Sequence, residues 1–448
     1  MKSFIISLIL SSLLFGQSLT ARDWLDYRGA SQGESHFENR TWMSLDFGDF
    51  SAGILFWAQE PPRYSEISSS DSSRAYISQY WFSFYSEMLE LTAGSFTQTL
   101  GQGVILDLFE REDIQIDHHC DGANFLLRLP YIEITGFNGI AGWDENAIVR
   151  GGEITLSPWK ISSGIEYAKV IPNEPNYPQE VFGAFGGIDF DFLSFYGEYG
   201  YKKPLGGLEK EGKALYLSGA LMFGLFSLMG EYKDYDEFAV RNTQARYNNP
   251  PTLIKEPYYT LPGRHYHELN PKDETGYAFT FNGQFSSNLS SEFFYGYANN
   301  HDGTNAFNQF WGELEFLNDD ETFTAKGALE YKIDGDETYI TPIADIMWEP
   351  DWTLLAFNLI AEFQNEEDFK NIAGTFSISY SPYMTLGVEG GKIEDENFAR
   401  GFADVDVIKK TKIRLGYGKR PGGFTCSGGV CRYEEAFKGV EAQIIITF

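Results

Sequence analysis

Glu321-Thr322-Phe323-Thr324-Ala325-Lys326-Gly327-Ala328-Leu329-Glu330-Tyr331-Lys332 is the stretch that decides the fold. Phe323, Ala325, Gly327, Leu329 and Tyr331 fall on one side of an extended chain. Thr322, Thr324, Lys326, Ala328, Glu330 and Lys332 fall on the other. Successive side chains of a strand point to opposite faces, so a period of two marks a strand with one apolar face. The pattern recurs in 277–285, where Tyr277, Phe279, Phe281, Gly283 and Phe285 oppose Thr280, Asn282 and Gln284. In 309–316, Phe310, Gly312, Leu314 and Phe316 alternate with Trp311, Glu313 and Glu315. Apolar residues at helical spacing persist nowhere beyond about two turns. The chain reads as all-β.

Two kinds of break separate the strands. Tight ones occur at Gly48-Asp49, Ser157-Pro158-Trp159, Ser286-Ser287-Asn288, Asn318-Asp319-Asp320, Glu349-Pro350-Asp351, Ser381-Pro382-Tyr383 and Lys409-Lys410. Between them lie longer polar breaks at 60–73, 98–118, 171–180, 236–275, 300–307, 393–399 and 420–432. Hairpins that are tight at one end and loose at the other, with strands of about ten residues, are the pattern of a transmembrane β-barrel. Closure pairs every backbone group, as a lipid environment requires. About 23 segments follow residue 40, and a weaker one lies near 24–36; barrels of this kind favour even counts, so 22 to 24 strands are expected. A set of soluble sandwiches would need several domains, and no Pro- or Ser-rich linker divides the chain.

Composition agrees. The 448 residues carry 34 Lys+Arg against 64 Asp+Glu, a formal charge of −30, which speaks against a nucleic-acid binder. With 38 Phe, 27 Tyr and 9 Trp the chain is too aromatic for an acidic disordered protein. Apart from the N-terminus, no apolar run approaches the roughly 18 residues of a spanning helix.

Met1-Lys2-Ser3, the apolar run Phe4 to Phe15 and the small residues Gly16 to Ala21 read as a secretory signal peptide over 1–21, cut between 16 and 22. Residues 22–448 then form one barrel domain. No Cys precedes Cys120, so lipid attachment behind the leader is not expected. Three Cys do not make a disulfide framework, but Cys426 and Cys431 flank a glycine-rich span and are expected to close a small loop. Cys120 is expected as a free thiol. Val440, Ala442, Ile444, Ile446 and Phe448 form an apolar stripe ending on an aromatic, like the terminal signal read by the barrel assembly machinery.

Gly94-Ser95-Phe96-Thr97-Gln98-Thr99-Leu100-Gly101-Gln102-Gly103, followed by Glu110-Arg111-Glu112, Asp117 and Gly122, resembles a family of Bacteroidetes-type outer-membrane barrels of uncharacterised function. Arg420-Pro421-Gly422-Gly423-Phe424, Cys426-x4-Cys431-Arg432 and the last strand match as well. Ser95 stands where that family has Asp, and His118 where it has Asn. The resemblance implies a barrel in a Gram-negative outer membrane and no particular chemistry.

Residues 98–121 join Val104, Ile105, Leu106, Leu108 and Phe109 to a charged run. Exposed, these would make a costly apolar patch. The segment is therefore expected to fold into the barrel mouth or cap it, with Glu110, Arg111 and Asp117 lining a constriction. The 236–275 segment reads as a long extracellular loop. His118, His119, Cys120 and Asp121 have metal-binding side chains, but four consecutive residues of an extended chain cannot close on one ion. His265 and His267 supply only two ligands, and the acidic turns match no calcium loop. His301 in Asn-His-Asp-Gly reads as turn chemistry, and no Gly-x-Ser-x-Gly occurs. No catalytic, cofactor or metal site is expected.

The expected function is a porin-like channel for small hydrophilic solutes, partnered by the lipid bilayer and the assembly machinery. Lys326, Glu330, Lys332, Glu313, Glu315, Lys412 and Arg414 are expected to face its lumen, with a bias toward cations from the net charge. A plugged barrel serving as a platform for a periplasmic or surface partner is the competing reading. An exported soluble β-rich binding protein is the third.

Overall fold

The computed structural model describes residues 18–32, 35–60, 74–111, 116–141, 147–172, 178–206, 210–241, 246–264, 270, 272–366, 369–408, 410–427 and 430–448, without the side chains of 408, 425–427, 430 and 431. The 1–21 leader reading lies outside these residues except for Ser18–Ala21, which pair with Asp46–Met43 in the first strand. His265 and His267 also lie outside them.

Twenty-four strands form one antiparallel sheet in which each strand pairs with its neighbours in the chain. The sheet closes where Ser18–Gln32 pairs with the last strand, Phe437–Thr447, in register from Arg22↔Thr447 to Gln32↔Lys438. Among the described residues the only helical element is a single turn at Pro262–Arg264, and no helix is long and apolar enough to cross a membrane.

Alternation is realised as the sequence lays it out. In the strand Glu337–Trp348, Ile340, Ile346 and Trp348 are exposed, whereas Tyr339, Thr341, Ile343 and Asp345 are buried. In Phe323–Asp334, Leu329 is 42% exposed while Glu330 is fully covered. The apolar face thus points out all round the barrel and the polar face points in. A water-soluble fold arranges these faces the other way. The tight turns carry exposed Tyr131, Trp159, Phe192, Trp352 and Tyr383, an aromatic rim at one end.

Three short two-stranded sheets lie outside the ladder. Gln98–Leu100 pairs with Leu106–Leu108, Glu110–Arg111 with Ile116–Asp117, and Gly423–Ser427 with Val430–Glu434. In the last of these, the backbone register sets Cys426 opposite Cys431. Cys120 is a buried free cysteine.

Candidate functional site

Two chain segments pack against the inward face of the wall. In the first, Leu100, Val104, Ile105, Leu106 and Leu108 are fully buried. Its turn is fastened by the Gly101 amide, which donates to Glu153 Oε2 at 3.1 Å, and by the Gln102 amide, which donates to Glu198 Oε2 at 2.8 Å. Gly101 has φ +53°, a left-handed backbone that glycine adopts without strain.

The second segment, read from the sequence as part of a long extracellular loop over 236–275, is also drawn onto the wall. Phe238, Val240, Tyr247, Leu253 and Leu261 are buried within it, and its backbone meets wall side chains one after another. Lys202 donates to the Ala239 carbonyl at 2.9 Å, and Gln179 to that of Arg241 at 2.7 Å. The Lys255 amide donates to Gln309 Oε1 at 2.9 Å. Glu362 receives the amides of Thr260 at 3.0 Å and Leu261 at 2.7 Å. These polar wall residues supply partners that a buried irregular backbone needs.

The segments also hold each other. Asn248 Nδ2 donates to the Val104 carbonyl at 3.0 Å, and the Asn249 amide to that of Gly103 at 3.0 Å. All of these apolar residues except Leu261 join Tyr216, Tyr235, Phe294, Trp311 and Ile343 of the wall in one buried cluster, and Leu261 packs in a second with Ala373, Ile393 and Phe398.

Glu110 and Asp117 are brought together, because Gln79 Nε2 donates to both at 3.1 Å. Arg111 turns elsewhere, its guanidinium 5.4 Å from the Phe109 ring. His119 Nδ1 meets Asp117 Oδ1 at 2.8 Å, and its other nitrogen lies 3.5 Å from Asp121. Burial opposes the imidazolium, but hydrogen bonds and charge from Asp117 and Asp121 outweigh it and hold His119 up at about 10. Asp117 is held below its ordinary value: burial raises it, but the His119 contacts prevail. Burial pushes His118 down, toward the neutral ring. Ser95, the departure from the family pattern, donates to Asp121 at 2.5 Å and accepts the Tyr80 amide at 3.0 Å.

The charged residues read from alternation all lie on inward positions, but they do not share one environment. Lys326 pairs with Glu315 at 3.1 Å. Glu330 and Lys332 are sealed from water beneath the second segment's side of the wall, so they line no aqueous surface. A cavity of about 500 Å³ at the tight-turn end is lined by Ser227, Asn282, Gln284, Glu292, Glu313 and Glu315.

Elsewhere the inward face carries groups that the sequence reading did not single out. Register sets Trp24, Arg40, Trp57 and Tyr76 side by side on four adjacent strands. The Arg40 guanidinium lies 5.2 Å from the Trp24 ring and 4.4 Å from that of Trp57, while Arg22 lies 5.0 Å over Trp42. Beside them, Glu441 pairs with Arg400 at 2.8 Å and Arg28 at 3.5 Å. These ion pairs keep some water contact, with side-chain exposures of 13–25%.

Residues 21–292 and 370–448 match the model of a family of unknown function, DUF6029, and the chain belongs to that family. No curated protein matches the sequence. The structure resembles the P pilus usher (PapC) translocation pore at a TM-score of 0.52 and 10% identity, covering 96% of this chain and 99% of that one. It also matches the siderophore receptor PirA from Pseudomonas aeruginosa, at a TM-score of 0.49 and 10% identity over 96% of this chain and 80% of that one. The outer membrane protein opdK from the same organism matches at 0.42 and 10% identity, over 71% and 94%. The likeness to the usher pore, at this identity, is one of fold: a large closed barrel of the outer-membrane type.

Proposed function

We propose that this protein is an outer-membrane channel for small hydrophilic solutes, with a lumen narrowed by its own residues 98–111 and 116–119 and by 237–241 and 246–264. The observation that carries the reading is the inverted wall: exposed Leu, Phe and Ile outside, ion pairs and amides inside. Such a wall is stable where lipid bathes the exterior and water reaches the interior. The aromatic rim at Trp159, Trp352 and Tyr383 suits a membrane interface. The same exterior disfavours an exported soluble protein.

The remaining passage follows the sector of Arg22, Trp42, Arg28, Arg400 and Glu441, whose side chains keep water contact. Glu292, Glu313 and Glu315 at the tight-turn end, and the overall charge of −30, favour cations and neutral solutes over anions. Single-channel recording in planar bilayers tests this. A small, cation-favouring conductance that rises when 98–119 is replaced by a short Gly-Ser linker is expected. No conductance from either protein would sink it.

A second reading, a plugged barrel that serves as a platform for a partner, is favoured by one feature. The buried cluster joins both segments to wall strands from Leu89–Phe96 to Glu337–Trp348. A single stoichiometric partner in pull-downs, without conductance, would select it.

A further inference from the structure

Beneath the Leu100–Gly103 turn, three carboxylates gather with too few donors among them. Glu153, Glu166 and Glu198 point inward from Ala147–Leu156, Ile161–Pro172 and Leu193–Pro204. Glu153 is satisfied at both oxygens, by the Gly101 amide at 3.1 Å and the Thr155 hydroxyl at 2.6 Å. Glu198 Oε2 receives the Gln102 amide at 2.8 Å and the Tyr196 hydroxyl at 2.7 Å, and the Ile105 amide also acts on this carboxylate. Glu166 is 4% exposed, and neither of its oxygens has a hydrogen-bond partner. A Cβ added to Gly101 would fall 2.5 Å from Glu166 Oε1 and 2.6 Å from Glu198 Oε2, so the two carboxylates lie side by side against this glycine.

An ionised carboxylate buried without donors is strongly disfavoured and requires a positive centre or a proton. Among the described ion pairs no Lys or Arg is joined to any of the three; the bases on the same strands go elsewhere, Lys169 to Glu180 and Lys202 to the Ala239 carbonyl. We propose that Glu166 and Glu198 bind a divalent cation of the calcium type under the Gly101–Gln102 turn, with Glu153 behind it. The donors are hard oxygens, with no imidazole or thiolate among them, which suits calcium over zinc or copper. Among the described residues no three His, Cys, Asp or Glu side chains are arranged to hold a metal on their own. The site is accordingly one of two carboxylates, completed by water and by the Tyr196 hydroxyl, and calcium tolerates such irregular shells. The bound ion ties the turn to two separate wall strands, so that its occupancy and the seating of segment 98–119 rise and fall together.

Terbium, a luminescent stand-in for calcium that tyrosine excites, tests the proposal on the full-length barrel refolded in detergent. Tyr196 sits beside the site to sensitise it. Saturable emission from one ion per chain, displaced by Ca²⁺, is expected. Its affinity should weaken roughly tenfold or more in Glu166→Gln and in Glu198→Gln, since charge count tunes oxygen sites over decades. Glu389→Gln, at a carboxylate held by Arg400, should bind as the parent does. Heat-modifiable gel migration establishes that each variant has closed. Parent and Glu166→Gln titrating alike would overturn the proposal and assign the orphaned oxygens a proton. The assay reads no transport, so its outcome is independent of the channel reading.

Discussion

The amide of Gln102 donates to Oε2 of Glu198 at 2.8 Å, joining residues 96 positions apart. That bond and its neighbour from Gly101 to Glu153 fix the tip of the first inward segment on the wall. Alanine at Gly101 would place a methyl 2.5 Å from Glu166 Oε1 on a left-handed backbone. Gly101→Ala is expected to destabilise the seated turn by about 1–3 kcal/mol, the cost of strain at a special backbone position. Limited proteolysis of the folded protein should then cut within 98–119, while heat-modifiable migration persists. Unchanged resistance would show that the turn does not anchor the segment.

Glu362 is the corresponding anchor for the second segment. Glu362→Ala leaves the Thr260 and Leu261 amides without their acceptor, at about 1–3 kcal/mol for each buried donor left unmade. Faster amide exchange at 258–262 is expected, with little change at 98–108. Exchange rates equal to the parent's would remove Glu362 from this role.

His119 and Asp117 make the small hairpin pH-sensitive in two directions. His119 is raised from 6.5 to about 10, so its stabilisation is full below 6.5 and is lost as pH rises through 10. Asp117 is lowered from 3.8, so its share is present above that value and disappears as acid titrates it. Exchange at 116–119 measured against pH should show both losses in the parent. His119→Gln should lose the alkaline step; an alkaline step that survives the substitution would refute the pairing as its source.

Leu329 faces out and Ala328 faces in on the same strand. Leu329→Arg should destabilise the barrel in lipid vesicles by about 2–4 kcal/mol if the site is near mid-bilayer. Denaturant unfolding in vesicles measures this. A neutral result would contradict lipid on that face.

Cys426 and Cys431 are expected to be joined in the exported protein, since their backbones are already opposite each other. Peptide mapping without reduction should recover them linked. Recovery of both as alkylated thiols would exclude the bond.

The barrel was legible in the sequence because its solvent is inverted but its period is not: Leu329 beside Glu330 specifies a strand with two unlike sides. Strand number followed from the rhythm of tight turns. The run Val104 to Phe109 reads as too apolar for an outer loop, and its side chains are buried. Phe238, Val240, Tyr247, Leu253 and Leu261 carry the same message for 237–264, diluted among Asn, Pro and Arg, and the patch rule applied there would have found it. Glu153, Glu166 and Glu198 could not be picked out. Each is one polar residue in an alternating strand, and only register and the reach of a loop tip 52 positions from Glu153 bring them together. The Trp24–Arg40–Trp57 row is hidden for the same reason, since it exists across strands and not along one.

The seam between Ser18–Gln32 and Phe437–Thr447 carries a consequence for biogenesis. Ser31 reaches the Lys438 carbonyl over 407 positions, so the opening strand has one unsatisfied flank for as long as the final one is missing. Contacts of such separation form late, and a bare edge invites mispairing with other chains. Every truncated product, however long, therefore presents two sticky borders, and the sheet sheds both only when its ends meet.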